Sequence, residues 1–174
     1  MFSHNTLMSI GSEQALKFVT DGMLGKLTRW LRMLGYNVKY ANNLDDKTLV
    51  KIAKTEKRIL LTRDVELFQQ ATAQHIDAFL VEGKNEAERL AAMTKRFRLT
   101  LEFSPDNSRC PRCNARIKPA EKSEIADKIP STTKAYYEEF WECPKCGKVY
   151  WQGAHWKRIT ETLDKAKKLL THSS

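Results

Sequence analysis

Residues 16–35 of the chain read LKFVTDGMLGKLTRWLRMLG, and this stretch decides the fold. Its first five residues form a short apolar run that ends at an Asp-Gly pair, as a buried β-strand does. Leucines then recur at helical spacing until Gly35, where a helix is expected to end. A buried strand followed directly by an amphipathic helix predicts the first unit of an α/β fold.

The same alternation of strand and helix continues along the chain as far as residue 99. Strands are predicted at residues 38–41, 58–62 and 78–81, and helices at 45–56, 65–74 and 86–99. Strands that alternate with helices of this length favour a mainly parallel sheet with right-handed crossovers. We therefore expect a three-layer α/β sandwich.

A change of composition at residues 103–108, FSPDNS, is typical of a linker. The chain of 174 residues is long enough for one ordinary core and one small metal-stabilised module. We expect a flexible N-terminal extension at residues 1–15, the α/β domain at 16–104, a cysteine ribbon at 105–153 and a basic C-terminal helix and tail at 154–174. The helix is predicted from residue 155 to residue 170.

The four cysteines of the chain form two Cys-x-x-Cys pairs, which predict one structural zinc ion. Two residues between thiols allow a tight turn to direct both sulfurs at one ion, and Asn114 and Gly147 suit the backbone of such turns. The expected ligands are Cys110, Cys113, Cys143 and Cys146. The alternative, two disulfides in a secreted protein, is disfavoured because the sequence has no basic-apolar-small leader. Zinc with four sulfur ligands has no open position, so catalysis must lie elsewhere.

The chain is basic, with 30 Lys and Arg against 21 Asp and Glu and a formal charge of +9. This excess favours an anionic partner such as nucleic acid, although a soluble basic protein without such a partner has the same composition. No apolar run approaches the roughly 20 residues that span a bilayer. We expect a cytoplasmic protein with no membrane partner.

Two acids, Asp21 and Asp64, follow predicted strands that are expected to be parallel neighbours. Ligands of open α/β sheets bind outside the carboxyl ends of the strands, and like charges that meet there are unfavourable without a cation. The pair therefore predicts a hard divalent ion, Mg²⁺ or Mn²⁺. Asp45, Asp46 and Glu66 are further acids that can reach the same edge, although an Asp at such a place is more often a turn former or N-cap than a ligand, and Asp46 can be only the cap of the helix that begins near Lys47.

Two groups of basic residues are candidate RNA contacts. Lys26, Arg29 and Arg32 recur every third residue on the first helix, opposite its leucines, and they can hold a phosphate backbone or form a solvated face. Near the cysteine pairs, basic and aromatic residues alternate in the mixture that binds single-stranded RNA. The contacts expected there are Arg112, Lys145 and Trp151. The aromatic residues can instead form the core of so small a module.

Three segments together resemble one known family. Residues 18–32, FVTDGMLGKLTRWLR, residues 58–64, RILLTRD, and the ribbon ending in residues 150–156, YWQGAHW, resemble the PIN-like ribonuclease family named after the C-terminal domain of the mut-seven exonuclease proteins. The resemblance covers about residues 16–160, nearly the whole predicted folded part. It implies a PIN-like sandwich in which a small zinc ribbon follows the nuclease domain.

The resemblance also implies an activity. In PIN-like nucleases, acids after the first strand, near the start of a middle helix and after a later strand bind divalent metal; here these are Asp21, Asp46 and Asp64, with Glu66 as a fourth candidate. The implied reaction is metal-assisted hydrolysis of RNA phosphodiesters by water, with no covalent nucleophile. A ribbon joined to such a nuclease is similar to the architecture of ribosomal RNA maturation enzymes, so ribosomal and transfer RNA are candidate partners.

Two other functions remain open from the sequence. One is an RNA- or ribosome-binding protein whose acidic cluster is vestigial, and the other is an adaptor whose basic ribbon docks an acidic protein partner. The enzyme requires the acids to bind Mg²⁺ or Mn²⁺, the binding protein requires RNA affinity that does not depend on them, and the adaptor predicts no RNA affinity at moderate salt.

Overall fold

A computed structural model describes residues 15–172, so residues 1–14 of the predicted extension lie outside the described range. The described chain begins with β1 (Lys17–Thr20), a 3-10 turn (Gly22–Leu24) and α1 (Gly25–Met33). The α/β domain continues with β2 (Asn37–Tyr40), α2 (Asp46–Glu56), β3 (Ile59–Thr62), α3 (Val65–Ala73), β4 (Ala78–Leu80) and α4 (Glu86–Phe97). Every predicted strand and helix is present, with boundaries shifted by at most a few residues.

The four strands form a parallel sheet in the order β2-β1-β3-β4. Side chains alternate between its two faces: Phe18 and Leu61 lie in one buried cluster with α1 and α4, whereas Val19 and Leu60 lie in the other with α2 and α3. Both faces are therefore covered by helices, which explains why the strands are continuous apolar runs. The predicted three-layer α/β sandwich with a mainly parallel sheet is confirmed.

The C-terminal helix, α6 (His155–Thr171), packs on α4 and completes one of these layers. Leu163 and Ala166 are buried in the same cluster as Leu90 and Met93. The basic side chains of α6 lie on its exposed face, as the periodicity predicts. No helix among residues 15–172 is long and apolar enough to cross a membrane.

Residues 105–153, which we call the ribbon, form a separate antiparallel sheet in the order β5 (Lys118–Ala120), β6 (Phe140–Glu142) and β7 (Val149–Trp151). The long excursion between the cysteine pairs carries a 3-10 turn (Ala126–Lys128) and α5 (Ser131–Tyr136). Phe140 and Trp141 are buried in two small clusters of the ribbon. These two aromatic residues are therefore core residues, as the alternative interpretation expects.

Arg32 joins the ribbon to the α/β domain. Its side chain is 5% exposed, and Nε and Nη2 donate to the Val38 carbonyl at 3.0 and 2.8 Å. Nη1 donates to the carbonyls of Pro111 and Arg112 at 2.9 and 3.2 Å. Four of the five N–H donors of the guanidinium are thus directed at backbone oxygens. Backbone carbonyls thus occupy most of the Arg32 guanidinium, and the contact of Arg32 with an RNA phosphate stays a prediction.

Asn114 makes a second connection, to the edge strand β2. Its Oδ1 accepts from the Val38 backbone N–H at 3.0 Å, and its Nδ2 donates to Asn37 Oδ1 at 3.0 Å. An edge strand carries backbone groups without a strand partner, and here an asparagine of the first cysteine turn supplies one. The first cysteine pair is therefore held at a fixed place beside α1 and β2.

Candidate active site and nucleic-acid interface

The carboxylate of Asp21 is held between the ends of β1 and β3. It is 7% exposed, Oδ1 accepts from the Met23 backbone N–H at 2.8 Å, and Oδ2 accepts from the Arg63 backbone N–H at 3.1 Å. The Thr62 hydroxyl donates to the same Oδ2. Three donors from two neighbouring strand ends fix both the position and the orientation of this carboxylate.

Thr62 also links Asp21 to Asp64. The Asp64 backbone N–H donates to Thr62 Oγ1 at 2.9 Å, so one hydroxyl bridges the two acidic positions. The Asp64 side chain is exposed and is the N-cap of α3, where its Oδ1 accepts from the backbone N–H groups of Glu66 and Leu67 at 2.8 and 3.1 Å. The structure thus places both acids at the carboxyl edge of the sheet, as the strand positions predict.

The third acidic position lies at the start of α2, beyond the end of β2. Asp45, and not Asp46, is the N-cap: its Oδ1 accepts from the Thr48 backbone N–H at 2.7 Å, and this hydrogen bond holds the pKa of Asp45 below its ordinary value. Asp46 is the first residue of the helix and is exposed. The capping alternative for Asp46 is therefore wrong, and its carboxylate is free of that role.

The acids are not drawn together into a closed ligand set. We looked among residues 15–172 for groups of three or more His, Cys, Asp or Glu side chains whose ligand atoms all lie within 4.8 Å of one another. The four cysteines are the only such group in this range. At the same time, no described cationic side chain forms an ion pair with Asp21, Asp46, Asp64 or Glu66. The edge therefore carries a negative charge that this part of the protein does not neutralise.

The four cysteine sulfurs form a tetrahedral metal site in outline. All four thiols are free, and the Sγ atoms of Cys110 and Cys146 are 3.6 Å apart, while those of Cys113 and Cys143 are 3.4 Å apart. Four sulfurs at about 2.3 Å from one zinc ion would be about 3.8 Å from each other, close to these distances. A disulfide requires about 2.05 Å, so the disulfide alternative is contradicted.

The two cysteine turns have the same backbone construction. In the first turn, the Asn114 N–H donates to the Cys110 carbonyl at 2.8 Å, and in the second the Gly147 N–H donates to the Cys143 carbonyl at 2.9 Å. Asn114 and Gly147 both have φ of +71°, the left-handed conformation predicted for them. Each turn directs its two sulfurs toward the same point, so the donor set and its geometry fit a metal such as zinc.

The thiols differ in how readily they ionise. Burial acts to raise the pKa of Cys110, but hydrogen bonds from the Tyr150 hydroxyl, at 3.0 Å, and from backbone N–H groups lower it to about 7. Burial raises the pKa of Cys113 to about 12. A cation at the centre of the site is the group that allows all four thiols to be thiolates.

A basic cleft of about 400 Å³ lies between α1 and the ribbon. Its walls carry the exposed side chains of Arg29, Arg112 and Lys148, together with Tyr40 and Tyr150. The predicted contacts Arg29 and Arg112 are thus brought together. Lys26 and Lys145 are also exposed, but they lie outside the cleft.

The cleft begins beside the acidic edge. Tyr40 is the last residue of β2, and its hydroxyl donates to the Gly22 carbonyl at 3.4 Å, one residue after Asp21. A Cβ at Gly25 would lie 2.8 Å from the Tyr40 hydroxyl oxygen, so any other residue there would require the tyrosine side chain to move away from the start of α1. Tyr40 and Gly25 therefore connect the acidic edge to the cleft.

A second cavity, of about 610 Å³, lies where the ribbon meets the start of α6. Its lining is rich in aromatic side chains, among them Tyr137, Trp151 and Trp156. We call it the aromatic cavity. The predicted RNA contact Trp151 is half-buried in its wall, where it also lies 6.5 Å from the Phe140 ring, between centroids.

Sequence reasoning missed Thr62, Tyr40 and Tyr137. Thr62 and Tyr40 end β3 and β2, so the strand-end rule that identified the acids identifies them too when it is applied to uncharged polar residues. Tyr137 follows α5 in the excursion, where no periodicity or motif distinguishes it from its neighbour Tyr136.

The model of the family described as Mut7-C RNAse domain matches residues 16–163, which span the α/β domain, the ribbon and the first half of α6. Neither a curated protein nor a solved structure matches the chain.

Proposed function

Since the chain belongs to the Mut7-C RNAse domain family, we propose that it is a divalent-metal-dependent ribonuclease whose reacting centre lies at the carboxyl ends of β1 and β3. The observation that carries this proposal is the Asp21 carboxylate, 7% exposed and without an ion pair to any described residue. A largely buried carboxylate without a cationic partner is costly. Mg²⁺ and Mn²⁺ are the cations that prefer such oxygen ligands.

The residues of the edge divide into fixed and adaptable ones. Asp21 is fixed by three donors, namely the Thr62 hydroxyl and the backbone N–H groups of Met23 and Arg63, so it defines the position of the centre. The side chains of Asp46, Asp64 and Glu66 are exposed and have room to change rotamer. The bound ion supplies Lewis-acid stabilisation of the charge that develops on the phosphodiester and lowers the pKa of a bound water.

In this proposal, the four cysteines hold a structural zinc ion and the ribbon helps to bind RNA. Arg29 and Arg112 contact phosphates in the basic cleft, Lys26 and Lys145 extend the positive surface on either side, and Trp151 contacts a base. Ribosomal and transfer RNA are candidate substrates by analogy with other nucleases that carry a ribbon.

The test is the replacement of Asp21 or Asp64 by asparagine, which keeps the size of the side chain and removes its charge. Cleavage of single-stranded RNA with Mg²⁺ or Mn²⁺ should fall by about 100-fold or more in either variant, because charge stabilisation worth several kcal/mol is lost. Zinc content and far-ultraviolet circular dichroism should match the parent.

Asp77→Asn is the matched control. Asp77 is an exposed aspartate that precedes β4, so it lies at the amino edge of the same sheet, away from the proposed centre. It should cleave like the parent. If Asp21→Asn and Asp64→Asn cleave RNA as well as the parent, or if the parent cleaves none with either ion, the proposal fails.

One observation favours a second function. The edge carboxylates do not form a group of three with oxygens within 4.8 Å among the described residues, as expected of an RNA-binding protein whose acids are vestigial. That protein would bind RNA equally well with and without the charge of Asp21 and would not cleave it. An adaptor for an acidic protein partner would show no RNA affinity at moderate salt.

A further inference from the structure

Two hydrogen-bond donors without partners meet in the wall of the aromatic cavity. The Trp151 indole N–H and the Tyr137 hydroxyl form no hydrogen bond with any residue in the described part of the chain. They lie close to the same point, because a Cβ at Gly153 would be 2.8 Å from Trp151 Nε1 and 3.7 Å from the Tyr137 oxygen. Gly153 thus leaves open the space in front of both donors.

Trp141 shows how an indole is satisfied elsewhere in the ribbon. Its Nε1 donates to Asp106 Oδ1 at 3.0 Å, and its ring belongs to the buried cluster around the cysteines. Trp N–H and Tyr O–H groups that become buried, as they would under a ligand, usually find a hydrogen-bond partner. The donors of Trp151 and Tyr137 are therefore available to a ligand with acceptor atoms on its edge.

The aromatic cavity adjoins the basic cleft. Pro111, Lys148 and Tyr150 line both, so a chain that leaves the cleft passes directly into the cavity. The cleft supplies positive charge and the cavity supplies aromatic faces. This succession suits a ligand that is anionic along its backbone and flat and apolar in its side groups, with acceptors on the edges of those groups.

We propose that the aromatic cavity binds an unstacked base of a single-stranded RNA whose phosphates lie in the basic cleft, with Trp151 N–H and Tyr137 O–H donating to acceptors on the base edge. The proposal rests on the proposed function, which supplies the RNA. A volume of about 610 Å³ lies within the range of about 300–1,000 Å³ typical of ligand pockets, so a nucleotide fits. The Trp156 ring, packed against Phe103 with 4.6 Å between centroids, forms a rigid wall of the cavity.

The test compares two short probes on the zinc-loaded full chain without added Mg²⁺ or Mn²⁺, so that binding is measured without cleavage. One probe is an oligouridylate, and the other is the same ribose-phosphate chain without bases. Fluorescence anisotropy should show that the parent prefers the oligouridylate by about 5- to 150-fold, the contribution of one stacked base. Equal affinity for the two probes overturns the proposal.

Two conservative variants locate the base. Tyr137→Phe removes only the hydroxyl donor, so it should reduce the preference for the oligouridylate by about 2- to 12-fold. Trp151→Phe removes the indole N–H and part of the ring system while keeping an aromatic face, so its reduction should be at least as large. Tyr136→Phe is the matched control, since Tyr136 is 83% exposed and lies outside the cavity lining. The Tyr136→Phe variant should prefer the oligouridylate as strongly as the parent does.

Three results would contradict the cavity as the base site. In the first, both donor variants keep the full preference for the oligouridylate. In the second, the donor variants lose the same affinity for both probes. In the third, Tyr136→Phe reduces the preference as much as the donor variants do. Failure of the nuclease proposal is separate, because it appears as no cleavage with Mg²⁺ or Mn²⁺ in a protein that still prefers the probe with bases.

Discussion

Arg32→Met is expected to loosen the ribbon from the α/β domain without unfolding either. Methionine keeps the apolar stem of the side chain and removes the guanidinium, which donates to the carbonyls of Val38, Pro111 and Arg112. The three carbonyls belong to β2 and to the first cysteine turn. The perturbation is therefore confined to the junction between the two parts of the protein.

The magnitude follows from what each carbonyl loses. The Val38 carbonyl is buried and accepts two of the hydrogen bonds from Arg32. Leaving this carbonyl without a donor lowers the free energy of unfolding by about 1–3 kcal/mol. The bonds to Pro111 and Arg112 are partly buried, so water can replace them and each costs about 0.5–1.5 kcal/mol. The sum is about 2–6 kcal/mol, and it is reduced because the buried charge, whose pKa burial lowers, is also removed. We expect a net loss of about 2–4 kcal/mol in the free energy of unfolding.

Urea denaturation of the zinc-loaded protein measures this loss, and hydrogen exchange locates it. The Val38 amide, which donates to Asn114 Oδ1, should lose protection. Arg29→Met is the control, because Arg29 lies on the same helix with an exposed side chain, and it should change stability by no more than about 0.5 kcal/mol. An Arg32→Met protein with parental stability and parental protection at Val38 would show that the guanidinium does not hold the ribbon.

The remaining predictions concern the zinc site and RNA binding. Cys143→Ser should abolish stoichiometric zinc binding and unfold the ribbon while the α/β core keeps its circular dichroism, because metal binding supplies the folding free energy of such a module; a variant with the parental zinc content contradicts this. Replacing Arg112 and Lys145 by glutamine should make the negative slope of log affinity against log salt shallower, by about 0.7 for each RNA phosphate that the protein no longer neutralises. The change should be similar for all RNA sequences. An unchanged slope would assign both side chains to a solvated surface.

The fold was accessible from the sequence because its signals are local. Phe18 and Val19 are adjacent and both fully buried, as expected of a strand covered on both faces, and such a strand is a continuous apolar run. The left-handed backbone at Asn114 and Gly147 follows from the residue types that tolerate it after a cysteine turn. Both predictions rest on residue types at positions that are close together in the sequence.

The role of Arg32 shows where local signals fail. Helical periodicity correctly places it opposite the leucines of α1, and that face would be solvated if the helix had only the sheet beside it. The ribbon covers the face instead, through residues some 80 positions later in the chain. Asp45 and Asp46 show a smaller failure: either can cap a helix, and which one does so depends on a single hydrogen bond to Thr48.

The same helix positions both halves of the proposed site. Near its amino end, α1 follows Asp21 and carries Gly25, against which Tyr40 packs, and near its carboxyl end Arg32 holds the first cysteine turn. Its 9 residues make it about 13 Å long, and its two ends lie beside the acidic edge and the first cysteine turn. Arg32→Met should therefore reduce cleavage of RNA, because the phosphate-binding side of the cleft is no longer fixed relative to Asp21. The loss should appear mainly in KM if the ribbon only binds the strand, and in kcat as well if the cleft also aligns the scissile phosphate with the edge.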